Sequence, residues 1–152
     1  MSLNTFNAET AENLEDIEKQ FAVKAVAHAQ TYMTILSKRK GSELRLTPKD
    51  DEIYDHVVAA FPEFLTDSTF ATHIDEDRMK SASGKKRWRE FMNTYEKTVE
   101  DFNFGTLLRV DPTEDYTEEN TIFVPRMQFL AFEIFRNRHE LNDWIYNDAH
   151  KN

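Results

Sequence analysis

Residues 99–138 read VEDFNFGTLLRVDPTEDYTEENTIFVPRMQFLAFEIFRNR, and this stretch decides how the second half of the chain folds. An acidic segment stands between two strongly apolar ones, and polar side chains are interleaved with large apolar ones on both sides. A charge removed from water without a partner is costly. We therefore expect these polar groups either to hold one another or to hold a partner molecule.

The end of this stretch predicts a central helix. Pro125 fits its first turn, because proline is favoured there. Helical spacing and a nearly all-apolar face follow, carried by Met127, Phe129, Leu130, Ala131, Phe132, Ile134 and Phe135. Apolar residues also alternate over Ile122 and Val124 and then over Leu130, Phe132 and Ile134, which is typical of a strand, although Arg126 and Gln128 interrupt this alternation. Residues 121–135, and residues 104–110 after Gly105, thus fit either a helix or an extended segment.

Residues 111–120 between these segments predict an acidic, ordered loop, because Tyr116 offers it an apolar anchor. Four arginines flank this loop among aromatic and aliphatic residues: Arg109, Arg126, Arg136 and Arg138. Each must find a carboxylate or a carbonyl, and the nearest acids are Glu100, Asp101, Asp115, Glu118, Glu119 and Glu133. An internal ion-pair network and contact with a partner are both open at this point.

The remainder of the chain is helical in pattern. Apolar positions from Leu14 to Leu36 recur every three or four residues and predict a long first helix ending near Ser37. A similar stripe from Trp88 to Phe102 predicts a helix over residues 85–102. Only three glycines and four prolines interrupt 152 residues. We expect a mainly α, single compact helical domain of five to seven helices over residues 1–152, with room for one short extended segment near residues 104–110 and with residues 1–10 flexible.

Charge and composition restrict the partners. A formal charge of −9 argues against DNA or another nucleic acid, whose phosphates must be neutralised by Lys and Arg. There is no cysteine, so thiolate metal sites and disulfides are excluded. The first residues lack the basic start and apolar run of a signal peptide, and residues 122–135 are too polar to span a bilayer. We expect a cytoplasmic monomer that does not bind membranes.

The sequence contains no signature of catalysis. The histidines at 28, 56, 73, 139 and 150 are never three or four residues apart, so no helix face presents two of them to a metal. No serine is flanked by glycines, and no glycine cluster could cradle a phosphate. We therefore expect no catalytic residue, metal or cofactor. The alternative is an enzyme that uses one of the acid pairs Glu100–Asp101 and Glu118–Glu119.

Residues 99–138, together with residues 14–21, 51–54 and 88–89, resemble the small eukaryotic family named polysaccharide biosynthesis domain-containing protein 1, which is found from fungi to animals. The resemblance implies an ATP-independent chaperone at the ribosome. Its client would be the GTP-binding domain of newly made translation elongation factor 1A, and GTP would release it. The resemblance also implies recruitment to the ribosome through the nascent polypeptide-associated complex.

Motif match to this family selects eleven candidate partner-binding residues: Asn103, Gly105, Thr106, Arg109, Asp115, Tyr116, Glu118, Glu119, Asn120, Arg126 and Arg136. Two other functions are open. An enzyme of carbohydrate or small-metabolite chemistry would use Glu100, Asp101 or Glu118 as acid or base. A ribosome-associated adaptor without chaperone action would use the basic residues 85–89.

Overall fold

The computed structural model describes residues 16–151, with side chains from residue 22 onward. Seven α-helices and a two-stranded sheet make up the regular structure of this part of the chain. One 3-10 turn, over Gly41–Glu43, lies between the first two helices. The elements are α1 Asp16–Lys38, α2 Asp50–Ala60, α3 Glu63–Thr66, α4 Glu76–Met79, α5 Ala82–Asn93, β1 Gly105–Arg109, β2 Thr121–Pro125, α6 Arg126–Arg138 and α7 Asp143–Ala149. The predicted flexible residues 1–10 lie outside the described part.

The small sheet corrects the prediction of a mainly α domain. β1 and β2 pair antiparallel, with Gly105 opposite Pro125 and Arg109 opposite Thr121. In β2, Ile122 and Val124 are buried while Phe123 is 47% exposed, which is the period of two that a half-buried strand shows. The alternation noted in the sequence was thus correct for Ile122 and Val124 and wrong for Leu130, Phe132 and Ile134, because the helix begins at Arg126.

Helix α5 is shorter than predicted. It begins at Ala82, where the Ser81 hydroxyl accepts a hydrogen bond from the Gly84 N–H at 3.2 Å and so caps the helix. It ends at Asn93, and the chain continues in turns to Asp101, whose φ is 56°. Tyr95 is nevertheless buried, as the apolar stripe predicted. The pattern therefore identified core residues correctly although the helix had already ended.

Helix α6 occupies the centre of the domain, as its apolar pattern predicted. Every residue from Met127 to Asn137 is buried. Phe132 packs against Phe64 and Trp88, with ring centroids 5.0 and 5.4 Å apart. Burying one such aromatic side chain contributes roughly 1.5–3 kcal/mol. The first-turn position predicted for Pro125 is in fact the residue just before the helix, at the end of β2.

Helix α1 packs along β1 and α7. Its buried face carries Ala25, Ala29, Tyr32 and Leu36 at the predicted spacing of three and four residues. The two alanines lie in one apolar cluster with Leu107 of β1, because a small side chain lets the strand approach the helix closely. No helix within residues 16–151 is long and apolar enough to cross a membrane.

Candidate partner-binding surface

A buried cluster of ionic and polar side chains joins α6 to β1 and α1. At its centre is the carboxylate of Glu133, which has no exposed surface. Arg136 Nη1 lies 2.9 Å from Glu133 Oε2, and Arg109 Nη2 lies 3.4 Å from Oε1. The hydroxyl of Tyr32 donates a hydrogen bond to Oε1 at 2.8 Å. Both guanidiniums are also fully buried, so this cluster forms part of the core.

The electrostatics of the cluster keep Glu133 ionised. Burial alone would raise its pKa, but the charges of Arg136 and Arg109 hold that pKa below its ordinary value. Burial, and next the negative charge of Glu133, raise the pKa of Tyr32 well above its usual range, so this phenol remains a neutral donor. One carboxylate therefore faces two guanidiniums, and other acceptors must satisfy the remaining donors.

Two amides extend the cluster to α7. The Asn142 amide group donates to Glu133 Oε1 at 3.0 Å and to the Asn137 side-chain oxygen at 2.7 Å. Its own oxygen accepts from Arg109 Nη2 at 2.6 Å. The Asn137 amide donates in turn to the hydroxyl of Tyr32 at 3.1 Å. These bonds connect α1, β1, α6 and the residue just before α7, so the cluster also fixes their relative positions.

The two arginines hold the backbone around the loop between β1 and β2. Arg109 Nη1 donates to the Pro112 carbonyl at 3.0 Å, and Arg136 Nη2 donates to the Val110 carbonyl at 3.2 Å. The indole N–H of Trp144 donates to the same Pro112 carbonyl at 2.7 Å. The guanidinium charge that Glu133 does not neutralise is thus directed at loop carbonyls. The internal network, one of the two alternatives that the sequence left open, exists for Arg109 and Arg136, and it uses the loop backbone rather than the acids of the loop.

Asn120 and Tyr116 hold the loop from within. The Asn120 side-chain oxygen accepts from the Asp111 N–H at 2.9 Å, and its amide donates to the carbonyls of Asp111 and Asp115. Tyr116 is buried against α1 and β1, and the Arg109 guanidinium lies over its ring at 5.5 Å. The anchor that the sequence analysis assigned to Tyr116 is therefore present.

Four acids of the loop are exposed residues, and we call them the acidic loop surface: Glu114, Asp115, Glu118 and Glu119. Asp111 is half-buried and lies 3.6 Å from His73 Nε2. Burial would raise the pKa of Asp111, but hydrogen bonds from Thr113 and the nearby cations lower it. The backbone of the loop is fixed from below while its carboxylates remain exposed. Such a surface can meet a cationic partner without first becoming ordered.

The hairpin separates the predicted partner-binding residues into two groups. Asn103, Gly105, Thr106 and Arg126 lie at the open end of the hairpin. The loop end holds Arg109, Asp115, Tyr116, Glu118, Glu119 and Asn120, with Arg136 beneath them. Six residue steps from Asn120 to Arg126 along the extended chain span about 20 Å. One small contact could not involve both ends.

Burial further divides the predicted residues. Arg109, Arg136 and Tyr116 are at most 3% exposed, and Thr106 and Asn120 are also buried. Direct contact with a partner is therefore available to Asn103, Asp115, Glu118 and Glu119, and in part to Gly105 and Arg126. The buried residues can act on a partner only through the segments that they hold. An added Cβ at Gly105 would overlap the ring of Phe123, which is exposed and would have to move.

The geometry gives little support to the carboxylate-pair alternative. Glu100 and Asp101 are exposed near the open end of the hairpin, whereas Glu118 is exposed in the loop. They are therefore not gathered in one pocket. Within the described part of the chain, no group of three or more His, Asp or Glu side chains could hold a metal ion.

The basic segment of residues 85–89 is partly engaged in the fold. Arg87 forms two hydrogen bonds with the carboxylate of Glu63, at 2.7 and 2.9 Å, and its guanidinium lies 4.6 Å from the centre of the Phe61 ring. These bonds lower the pKa of Glu63 to about 2. Lys85, Lys86 and Arg89 are exposed on α5.

The sequence analysis missed three members of the buried cluster, namely Tyr32, Asn137 and Asn142. One signal in the sequence could have indicated Asn137. Glu133, Arg136 and Asn137 stand at i, i+3 and i+4 within an otherwise apolar helix, and this spacing places them on one face. No local pattern connects Tyr32 with them, because it is 101 residues away from Glu133.

Known proteins resemble this chain over most of its length. The sequence profile of the PBDC1 protein family matches residues 17–147. A Schizosaccharomyces pombe relative named Protein PBDC1 homolog is 59% identical over 142 residues, which are 93% of this chain and 96% of the relative. A Saccharomyces cerevisiae relative of the same name is 54% identical over 143 residues, or 94% and 97% of the two chains. The human Protein PBDC1 is 43% identical over 139 residues, which are 91% of this chain and 58% of the human protein.

A solved structure has the same fold. The solution NMR structure of a Saccharomyces cerevisiae protein, 54% identical in sequence, matches with a TM-score of 0.82 and covers 94% of this chain and 97% of its own. This agreement supports the correction of the mainly α prediction to helices with a small sheet. None of the names of these relatives states an enzymatic activity.

Proposed function

This chain belongs to the PBDC1 protein family, and we propose that it is an ATP-independent cotranslational chaperone of the GTP-binding domain of newly made translation elongation factor 1A. The observation that carries the proposal is the acidic loop surface. Its carboxylates are exposed, while Arg109 and Arg136 hold the loop backbone from the buried side. The binding surface is therefore formed before the partner arrives, which lowers the entropy cost of association.

A GTP-binding domain without nucleotide presents a suitable target. Its phosphate loop offers backbone N–H groups and a lysine that the absent phosphates would otherwise neutralise. Its switch segments are ordered by the γ-phosphate and magnesium, so they are mobile until nucleotide binds. The acidic loop surface can neutralise the empty phosphate site, and contact with the domain covers the segments that would otherwise be exposed to other chains.

Release follows from competition. GTP and magnesium bring their own negative charge and their own ordering contacts to the same segments, so they favour the conformation that the chaperone does not bind. Folding of the client then displaces the chaperone, and no ATP hydrolysis is required. The proposal includes recruitment to the ribosome through the nascent polypeptide-associated complex and action as a cytoplasmic monomer. It assigns no catalytic residue, metal or cofactor.

The first experiment is a pull-down of this protein with the isolated GTP-binding domain of elongation factor 1A, with and without excess GTP and magnesium. We expect binding that GTP abolishes. The triple variant Asp115→Lys, Glu118→Lys and Glu119→Lys should then lose binding to the nucleotide-free domain. Charged residues at the edge of an interface mainly affect the rate of association and its dependence on salt. Added salt should therefore also weaken the wild-type complex.

A matched control separates this surface from net charge. The variant Asp55→Lys, Asp77→Lys and Glu96→Lys reverses three exposed acids elsewhere, so it has the same net charge as the loop variant. It should bind the client like the wild type. Unchanged binding by the loop variant would refute the role of the loop. Absence of binding in both nucleotide conditions, with ribosome binding lost on reversal of Lys85, Lys86 and Arg89, would favour the adaptor instead.

A further inference from the structure

Arg126 is the exception among the arginines that the fold removes from solvent. Arg109 and Arg136 are buried and both pair with Glu133, whereas Arg126 is half-buried. Arg126 forms no ion pair with any residue in the described part of the chain. Its Nε is buried without an acceptor, as is the Nε of Arg109, but the Arg109 guanidinium has the carboxylate of Glu133 as its counter-charge. The backbone N–H of Arg126 is satisfied by the Phe104 carbonyl. Most buried polar groups have a partner, so this guanidinium requires an explanation.

Two hollows meet at Arg126, and we call them together the Arg126 groove. The first has a volume of about 240 Å³ and lies between α1 and α6. Apolar side chains line much of it, including Ile35, Leu44 and Phe129. The second has a volume of about 210 Å³ and is lined in part by Pro48. Leu46 and Arg126 line both hollows, so the guanidinium stands between two partly apolar depressions.

Cationic and anionic side chains both lie near Arg126, but no described acid pairs with its guanidinium. His28 lines the first hollow, and burial, followed by the charge of Arg126, lowers its pKa. Arg45 lines the first hollow and Lys49 the second. Arg45 lies 4.0 Å from Asp51, and Lys49 lies 3.8 Å from Glu52, so both ion pairs are loose. Glu100, which lines the second hollow, forms no ion pair with Arg126. A single anionic group at Arg126 would therefore find an available cation.

We propose that the Arg126 groove binds one carboxylate side chain of a partner polypeptide, with neighbouring apolar side chains of the same segment in the two hollows. Arginine suits this ligand because its planar fork can form two parallel hydrogen bonds with a carboxylate. Leu46 and Arg126 stand between the two hollows, and the pair therefore fits successive side chains of a peptide segment.

The same charges argue against a polyanion. Nucleic acid binding needs several cations to neutralise successive phosphates. Around Arg126 the acids Asp51, Glu52 and Glu100 would repel such a ligand, and the chain as a whole carries a formal charge of −9. One carboxylate needs only one guanidinium. The occupant is therefore an acidic peptide segment.

This site is separate from the acidic loop surface in position and in charge. It lies at the opposite end of the hairpin, and it selects an anion where the loop selects a cation. Loss of binding to elongation factor 1A would leave the Arg126 groove intact. The two proposals can therefore fail independently of each other.

The test is selection of a displayed random heptapeptide library on the wild-type protein, with counter-selection on the variant Arg126→Gln. We expect enriched peptides with Asp or Glu at one position and apolar residues beside it. Changing that acid to its amide in a synthetic peptide should weaken binding about tenfold or more, as expected for one lost charge-assisted pair. The variant Arg126→Gln should show the same loss, and Arg126→Lys should retain part of the affinity.

Arg138→Gln is the matched control, because Arg138 is an exposed arginine already paired with Asp51. It should bind the selected peptide like the wild type. Two-dimensional NMR spectra of each variant establish that it is folded. Enrichment of peptides without an acid, or equal capture by Arg126→Gln, would overturn the proposal. So would an RNA oligonucleotide that shifts the Arg126 Nε–H resonance more than the acidic peptide does.

Discussion

At the loop end of the hairpin, Arg109 and Arg136 are fully buried and share the carboxylate of Glu133. At the open end, Arg126 is half-buried and has no carboxylate partner among the described residues. All three arginines follow or precede apolar residues in the sequence. What separates them is whether another segment of the chain brings a carboxylate within reach. Arg109 and Arg136 thus stabilise the fold, whereas Arg126, in a similar apolar stretch, is a candidate binding residue.

The largest effect is expected from removing the shared partner. Glu133→Gln would leave two buried guanidiniums without a negative charge, and we expect a loss of about 3–5 kcal/mol in the free energy of unfolding. Urea denaturation measures this loss. The exposed Glu96→Gln should change the same free energy by no more than about 0.5 kcal/mol. If Glu133→Gln unfolded at the same urea concentration as the wild type, the cluster would not require its carboxylate.

A smaller effect is expected from loosening the cluster while its charges remain. Asn142→Ala removes a partner of Arg109 and of Glu133, which should cost about 2 kcal/mol. It should also release the loop, since Arg109 holds the Pro112 carbonyl. Amide hydrogen exchange at Val110 and Asp111 should therefore accelerate. Asn147→Ala, at an exposed position of α7, is the control. If exchange accelerated equally in both variants, the amide would not support the loop.

A surface pair provides an intermediate case. The pKa of Glu63 is lowered from 4.5 to about 2 by the hydrogen bonds from Arg87. A lowered carboxyl pKa stabilises the fold above the unfolded value, so this contribution is complete above about pH 4.5 and is lost as the pH falls towards 2. Arg87 is 42% exposed, and solvent screening limits the contribution to about 1 kcal/mol.

Glu63→Gln should therefore be less stable than the wild type at pH 7, and the difference should shrink as the pH falls from 4.5 to 2. Unfolding curves at several pH values measure it. A difference that stayed constant over this range would assign the effect to packing instead of charge.

The smallest effect on stability is expected at the open end. Arg126→Gln removes a side chain without an ion pair, so the free energy of unfolding should change by no more than about 0.5 kcal/mol. The pKa of His28 should rise, because the charge of Arg126 lowers it in the wild type. NMR titration of the His28 ring measures this. Arg138→Gln should leave the pKa of His28 unchanged, and a large loss of stability in Arg126→Gln would indicate a structural role.

The sequence predicted the core better than the boundaries of the elements. Helical periodicity identified α1 and α6 and most of their buried residues, because a repeat of three and four residues is a local property. The same periodicity extended α5 too far, because Tyr95 and Val99 are buried at helical spacing although they lie in turns after the helix. The sequence left open whether the segments that form β1 and β2 are helical or extended. The pairing of β1 with β2, which brings Leu108 opposite Ile122, makes them strands.

The sequence by itself predicted an acidic, ordered loop over residues 111–120 and arginines around it that needed acceptors, because charge and burial are incompatible without a partner. Only the tertiary structure decided which arginine received one. Tyr32 of α1, Arg109 of β1 and Asn142, which precedes α7, reach Glu133 across sequence separations of 9 to 101 residues. Arg126 lies in the same stretch, but no described acid reaches it. Such meetings depend on the packing of whole elements, which local spacing does not encode.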